Sequence, residues 1–137
     1  MAFAEGPSIG AFLERATDGA RVRRVLLDLL RQCAALDAAG VDKTEMHRCA
    51  RHVVVAPDAD AVTLLDFEWC ADAPKPQNVT GAAQYLSQRW AAAQLARVGV
   101  AVDVDAVRAA CKRYKADRAD AAARAVEAAL GLRPPED

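Results

Sequence analysis

The chain has 137 residues, of which 53% are hydrophobic, 27% charged and 5% aromatic, and its formal net charge is −1. This length fits one domain with one core, and the apolar fraction is too high for a disordered chain. No apolar stretch reaches the ~18 residues of a membrane span, and no basic start precedes an apolar run, so we expect neither a membrane protein nor a secreted one. The balanced charge gives no clear nucleic-acid signal.

Alanine content indicates the fold class, and cysteine spacing indicates the cellular compartment. Alanine accounts for 33 of the 137 residues, and because alanine is the strongest helix former we expect an α+β fold that is mainly α. No C-x-x-C spacing occurs, which favours reduced cysteines in an intracellular, by default cytoplasmic, protein. The cysteines are Cys33, Cys49, Cys70 and Cys111.

Two helices are predicted in the first 40 residues. Ser8 can cap a short helix over 8–17, and apolar residues at 3–4 spacing predict a long helix over 18–39 that stops at Gly40. Four arginines on the long helix are interpreted as a solvated face rather than a nucleic-acid patch. They are Arg21, Arg23, Arg24 and Arg31.

The next segment predicts a β-hairpin. The β-branched run HVVV at 52–55 and the run AVTLLDF at 61–67 flank a Pro-Asp turn cluster. Residues 68–79 are expected to be irregular, since prolines stand at 74 and 76.

The remainder is predicted to be helical. Thr80 can cap a helix that runs to about residue 98 and stops at Gly99, and Asp103 or Asp105 can begin another. An alanine-rich helix is expected over 117–130. Both tryptophans, Trp69 and Trp90, are expected in the core.

The order of these elements indicates chemistry. A long helix leads into a polar loop that holds Glu45, and a hairpin follows whose second strand ends in Leu65-Asp66-Phe67. A protein kinase C-terminal lobe has this layout, with one carboxylate near the attacking hydroxyl and another on Mg²⁺ after the hairpin. Both are needed because phosphoryl transfer depends on positioning and on neutralising negative charge.

The segment 36–86 resembles a family of predicted serine/threonine protein kinases, best represented in archaea and distantly related to the RIO kinases. Residues 1–13 are similar to a kinase hinge, so the resemblance covers residues 1 to about 90. The matching motifs are Leu36-Asp37, Gly40, Asp42, Glu45-Met46, Arg51-His52-Val53, Leu65-Asp66-Phe67-Glu68, Pro76, Asn78-Val79-Thr80 and Gln84-Tyr85-Leu86.

The resemblance implies a kinase-like C-lobe with a hinge-like start at 1–7 and the site region at 42–80. Residues 100–137 match no motif of the family and are expected to form a helical extension of the same single domain, which covers residues 1–137. The resemblance implies that ATP and Mg²⁺ are the cofactors. Asp66, with Glu68, would hold the metal, and Glu45 would orient the hydroxyl. The resemblance also implies that the nucleotide contacts the backbone of Ala2, Phe3 and Ala4, and that His52 lies in the nucleotide site.

Departures from the family pattern leave the activity open. Lys43 replaces a histidine, and we expect it to form a surface ion pair with Glu45 or Asp42. His52 replaces the metal-binding asparagine, and imidazole is a poor Mg²⁺ ligand. No glycine-rich loop or Val-Ala-Ile-Lys strand occurs in these residues. We therefore expect phosphotransfer only if an N-lobe comes from a longer gene product or a second chain. The alternatives are a catalytically inactive pseudokinase-type binding or assembly module, and an unrelated helical protein.

Two further patterns receive structural interpretations. A zinc site is disfavoured, because the H-x-C-x-x-H spacing of His47, Cys49 and His52, with Cys70 as a fourth ligand, matches no common finger. A basic cluster in the C-terminal extension is interpreted as a solvated turn. It consists of Lys112, Arg113, Lys115 and Arg118.

Overall fold

A computed structural model of the chain describes residues 6–43, 46–65 and 71–134. The fold is α+β and mainly α. The helices of this part are α1 (Ile9–Arg15), α2 (Gly19–Ala38), α3 (Asn78–Leu86), α4 (Arg89–Arg97), α5 (Val104–Asp117) and α6 (Asp120–Ala129). The strands are β1 (Val41–Asp42), β2 (Val53–Val55), β3 (Val62–Leu64) and β4 (Ala71–Asp72), and a kinked 3-10 turn covers Met46–Arg51.

Helix α2 lies at the centre of the fold. Its apolar stripe is buried from Val22 to Cys33, and it packs against α3, α6, β1 and β3. The Asp18 side chain accepts hydrogen bonds from the first backbone amides and so caps the helix. Gly40 follows the last turn with a φ of 75°, a conformation that favours glycine. The predicted long helix and its stop are confirmed.

The predicted hairpin is also confirmed, and it is held by helix α2. Strands β2 and β3 pair antiparallel, with Val53 opposite Leu64. Arg21 donates to the Ala56 carbonyl oxygen at 2.9 Å, and Arg24 lies 2.5 Å from the Asp60 carboxylate. The interpretation as a solvated face is therefore wrong for Arg21 and Arg24, which bind the turn of the hairpin. It is also wrong for Arg23, which donates to the Gly99 and Gly131 carbonyls, whereas Arg31 is exposed as predicted.

The helix predicted over 80–98 is two helices. Helix α3 begins at Asn78, and the chain turns at Gln88, whose φ of −65° and ψ of 153° are extended. Thr80 is not a cap, since its hydroxyl donates back to the Gln77 carbonyl. Helix α4 packs against α1, and Arg97 of α4 donates to carbonyls at the end of α1. These contacts leave Trp90 46% exposed, so its expected core position is wrong.

Helices α5 and α6 form an antiparallel pair at the C-terminal end. Asp103 caps α5, and Arg118 ends it in the left-handed conformation with a φ of 55°. The last helix therefore begins at Asp120, three residues later than predicted. None of the described helices is both long and apolar enough to cross a membrane.

A second strand pair was not predicted. Strands β1 and β4 pair antiparallel, with Val41 opposite Asp72, so the prediction of one hairpin was incomplete. Two residues are too few to show an alternating pattern, which is why the sequence carried no signal for these strands.

Two helical glycines provide a test of the packing. A Cβ at Gly19, the first residue of α2, would overlap the Val98 carbonyl oxygen, whereas a Cβ at Gly10 in α1 would make ordinary contacts at 3.5 Å. We expect Gly19→Ala to lower the free energy of unfolding by about 1–3 kcal/mol. Gly10→Ala should be neutral or stabilising by up to ~1 kcal/mol. Urea denaturation of both variants measures the difference, and equal stabilities would contradict the close approach of Gly19 to the Val98 carbonyl.

Candidate functional site

Most of the predicted site residues lie outside the described part of the chain. These residues are Ala2, Phe3, Ala4, Glu45, Asp66 and Glu68. The structure does describe the segments that lead to the two predicted acids, namely the chain up to Lys43 and the hairpin up to Leu65. The site is therefore characterised by how these flanking segments are held.

The open end of the hairpin holds the residue before Asp66. The Leu65 amide donates to the His52 carbonyl oxygen at 2.8 Å, which continues the pairing of β2 with β3 by one residue. The His52 amide in turn donates to the Cys49 carbonyl at 3.0 Å. The flank of Asp66 is thereby fixed to the turn Met46–Arg51. The His52 side chain itself is partly buried.

Lys43 is buried, not on the surface as expected. It is 2% exposed, and its amide donates to the Asn78 Oδ1 atom at 2.9 Å. Burial raises the pKa of the Cys49 thiol to about 12, and the positive charge of Lys43 opposes part of that effect. A buried ammonium is costly unless acceptors or anions surround it. The residue two positions before Glu45 therefore places a positive charge near the buried thiols of Cys33 and Cys49.

A buried cluster of polar side chains holds the loop that contains Lys43. The Asn78 side-chain amide donates to the Val41 carbonyl at 2.7 Å and to the Asp37 Oδ1 atom at 2.9 Å. The backbone amides of Asn78 and Val79 also donate to the Asp37 carboxylate, at 2.9 and 3.3 Å. Gln77, at the N-cap position of α3, makes no capping bond, so Asp37 of α2 caps α3 instead.

The same carboxylate ties the C-terminal helices to this loop. The Tyr114 hydroxyl of α5 donates to the Asp37 Oδ2 atom at 2.6 Å. The Arg118 guanidinium lies 3.6 Å from that oxygen and donates to the Pro76 carbonyl at 2.5 Å. Burial and the bond to Asp37 together raise the pKa of Tyr114. We call this set the Asp37 cluster: Asp37, Asn78, Tyr114 and Arg118.

The sequence contains a signal for this cluster, an acidic residue on the apolar stripe of α2. Asp37 continues the buried stripe of α2 at helical spacing after Leu30 and Cys33. A carboxylate on an apolar stripe requires buried partners. Asp37 and Asn78 both belong to the motifs of the kinase-family resemblance, but Asn78 was considered only as a helix cap and Asp37 was assigned no role.

The described residues show no arrangement for zinc. In these parts of the chain no group of three or more His, Cys, Asp or Glu side chains comes together as metal ligands. His47 is exposed, while Cys49 is buried and its Sγ donates to the Met46 carbonyl at 2.7 Å. Cys70, the fourth ligand considered, lies outside the described residues.

Comparison with known proteins identifies no relative. Neither the models of known protein families nor the curated proteins include one that matches this chain.

Two buried tyrosines test the Asp37 cluster. Tyr114→Phe removes a hydrogen bond to a carboxylate, and we expect it to lower the free energy of unfolding by about 1.5–3 kcal/mol. Tyr85 is a matched control, because its buried hydroxyl has no hydrogen-bond partner among the described residues. Tyr85→Phe should therefore be neutral or slightly stabilising. Chemical denaturation of both variants checks this, and equal losses would argue against the cluster as a stabilising unit.

The buried thiol of Cys49 predicts a loss of stability at alkaline pH. Its pKa is raised from 9.0 to about 12 in the folded chain, so above pH 9.0 the unfolded chain releases a proton that the folded chain retains. The contribution of this thiol to the free energy of unfolding is therefore complete below pH 9.0. It is lost as the pH rises towards 12, at up to about 1.4 kcal/mol per pH unit. Denaturation at several pH values should show a shallower decline for Cys49→Ala. Parallel pH profiles would contradict the prediction.

Proposed function

We propose that the chain is a protein-kinase-like C-lobe that supports ATP- and Mg²⁺-dependent phosphoryl transfer to a serine or threonine hydroxyl when an N-lobe is supplied. The observation that carries the proposal is the way in which the flanks of Glu45 and Asp66 are held. Asn78 clamps residues 41–43, and the hairpin fixes Leu65 beside His52.

The two flanks are held by elements that pack against each other, which supports a single site. Asn78 of α3 binds residues 41–43, the His52 amide donates to the Cys49 carbonyl in the turn Met46–Arg51, and α3 packs against that turn. The chain segments that carry the two predicted acids therefore start from adjoining elements. A rigid support of this kind suits phosphoryl transfer, since most of its catalysis comes from positioning.

Each residue has a defined role in the proposal. Asp66, with Glu68, would hold Mg²⁺, which neutralises charge on the phosphates when bound. Glu45 would orient the attacking hydroxyl, and Lys43, two positions earlier, would contribute positive charge. The backbone of Ala2, Phe3 and Ala4 would contact adenine, as the family resemblance implies.

A second candidate is a catalytically inactive pseudokinase-type module for binding or assembly. Two observations favour it: His52 stands where the resemblance expects a metal-binding asparagine, and these 137 residues hold no glycine-rich loop to cover ATP phosphates. In this candidate the clamped loop and hairpin form a rigid scaffold, and its surfaces bind a partner protein.

Thermal unfolding with Mg·ATP distinguishes the two candidates. A ligand at 100 times its Kd adds about 2.7 kcal/mol to the free energy of unfolding. We expect Mg·ATP to raise the melting temperature of the wild-type chain and to leave that of Asp66→Ala unchanged. Asp58→Ala, in the exposed turn of the hairpin, is the control and should respond like the wild type.

Two results of this experiment would contradict the phosphotransfer proposal. No shift for the wild type would overturn the nucleotide site and favour the binding module. Equal shifts for the wild type and Asp66→Ala would place any bound nucleotide elsewhere and so remove the proposed role of Asp66.

A further inference from the structure

A cleft between helices α3 and α5 has no role in the proposed phosphoryl transfer. Its volume is about 450 Å³. The α3 side consists of neutral polar side chains, and the α5 side of valines, a cysteine and cations. The lining residues are Gln77, Thr80, Gln84 and Ser87 on one side, and Val104, Val107, Arg108, Cys111, Lys112 and Lys115 on the other.

The charged side chains that line this cleft are all positive. Arg108, Lys112 and Lys115 are exposed, and none of the described lining residues is acidic. Arg108 has a weak partner in Asp105 at 3.9 Å, outside the cleft lining. The chain as a whole has a net charge of −1, so three cations along a cleft with no acidic side chain among its described lining residues are a local concentration of positive charge. Such a cleft attracts an anionic ligand.

Two cations of the predicted solvated turn do not line this cleft. Arg113 pairs with Asp117 at 3.6 Å, and Arg118 belongs to the Asp37 cluster. The basic cluster is therefore divided by the structure: Lys112 and Lys115 face the cleft, while the arginines between and after them bind within the chain.

One end of the cleft is apolar and exposed. Val104 is 42% exposed, and among the large hydrophobic side chains that the structure describes only Trp90 is also classed as exposed. Val107, one turn further along α5, is buried and also lines the cleft. An apolar side chain of a ligand can be desolvated against these valines.

We propose that this cleft binds an extended acidic peptide segment of a partner protein, with an apolar residue at the Val104 end. From Gln77 to Ser87 the α3 side spans about 15 Å, which matches four to five residues of extended chain at ~3.3 Å each. Cations three or four positions apart on a helix are about 5–6 Å apart. This spacing suits acids at alternate positions of the peptide, because alternate side chains share a face.

The lining favours a peptide over a nucleic acid. Binding of single-stranded nucleic acid depends on aromatic side chains on which bases stack, and none of the described lining residues is aromatic. The glutamine, threonine and serine side chains of α3 instead offer donors and acceptors to a peptide backbone. The proposal does not depend on the phosphotransfer function, and its test uses no nucleotide.

The test titrates the full chain, labelled with ¹⁵N, with the five-residue peptide acetyl-Val-Ser-Glu-Ser-Glu-amide at low ionic strength. We expect saturable shifts of backbone amides along α3 and α5, and weaker binding as salt is added. The partly buried Cys111 thiol gives a second readout. Bound peptide should slow its modification by a maleimide, with the modified site assigned by mass spectrometry.

Matched double variants test the cations. Lys112→Gln with Lys115→Gln should weaken binding about tenfold, since each exposed ion pair contributes up to about 1 kcal/mol. Arg113→Gln with Arg124→Gln is the control, because it also removes two cations, but from a separate groove that Arg113 of α5 and Arg124 of α6 line. The control should bind like the wild type. Lys112, Lys115 and Arg113 are exposed, whereas Arg124 is partly buried, so circular dichroism verifies that each double variant is folded before binding is compared.

Several outcomes would overturn the proposal. One is that a peptide with glutamine in place of glutamate binds as tightly as the glutamate peptide. Another is that the two double variants weaken binding equally. A third is that inorganic phosphate at an equal concentration displaces the peptide. Tighter binding of a short oligothymidylate to the same amides would assign the cleft to a nucleic acid and would also overturn it.

Discussion

The Asp37 carboxylate is the constraint on which the described structure most depends. Its side chain is 2% exposed, and a buried charge is destabilising unless it is hydrogen-bonded and paired. The amides of Asn78 and Val79, the Asn78 side chain and the Tyr114 hydroxyl all donate to it. Because these donors come from two other helices, satisfying one carboxylate fixes α2, α3 and α5 relative to one another. The nearby Arg118 guanidinium adds compensating charge.

This arrangement links the C-terminal helices to the candidate site. Asn78 contacts both Asp37 and the backbone of residues 41–43, so the loop before Glu45 and the position of α5 share one support. A change in α5 that disturbs Tyr114 therefore alters the environment of Asp37 and, through Asn78, the clamp on that loop. The acidic-peptide cleft lies on the same helix, although its proposed occupant does not contact the cluster.

Features with strong local patterns were predicted from the sequence. The stripe of α2, the caps at Ser8 and Asp103, and the β2–β3 hairpin were all found as expected. Each depends on side-chain spacing or on hydrogen bonds within a few residues. The single helix over 80–98 was wrong, because contacts between distant elements place α4 on α1. The site residues Glu45 and Asp66 remain predictions, whereas the burial of Lys43 and the role of Asp37 required the structure.

The sequence by itself therefore determined the class of fold, since alanine content and apolar periodicity specify helices wherever they occur. It also determined where the hairpin lies, because β-branched runs around a turn cluster form one locally. Only the tertiary structure decided which polar side chains are buried and which cations are free to bind a ligand. Lys43, Asp37 and Lys112 are all charged, and the sequence around each does not show which of them is buried and which is exposed. Their surroundings do, because the free energy of a charge depends on the solvent and partners that the packed helices leave to it.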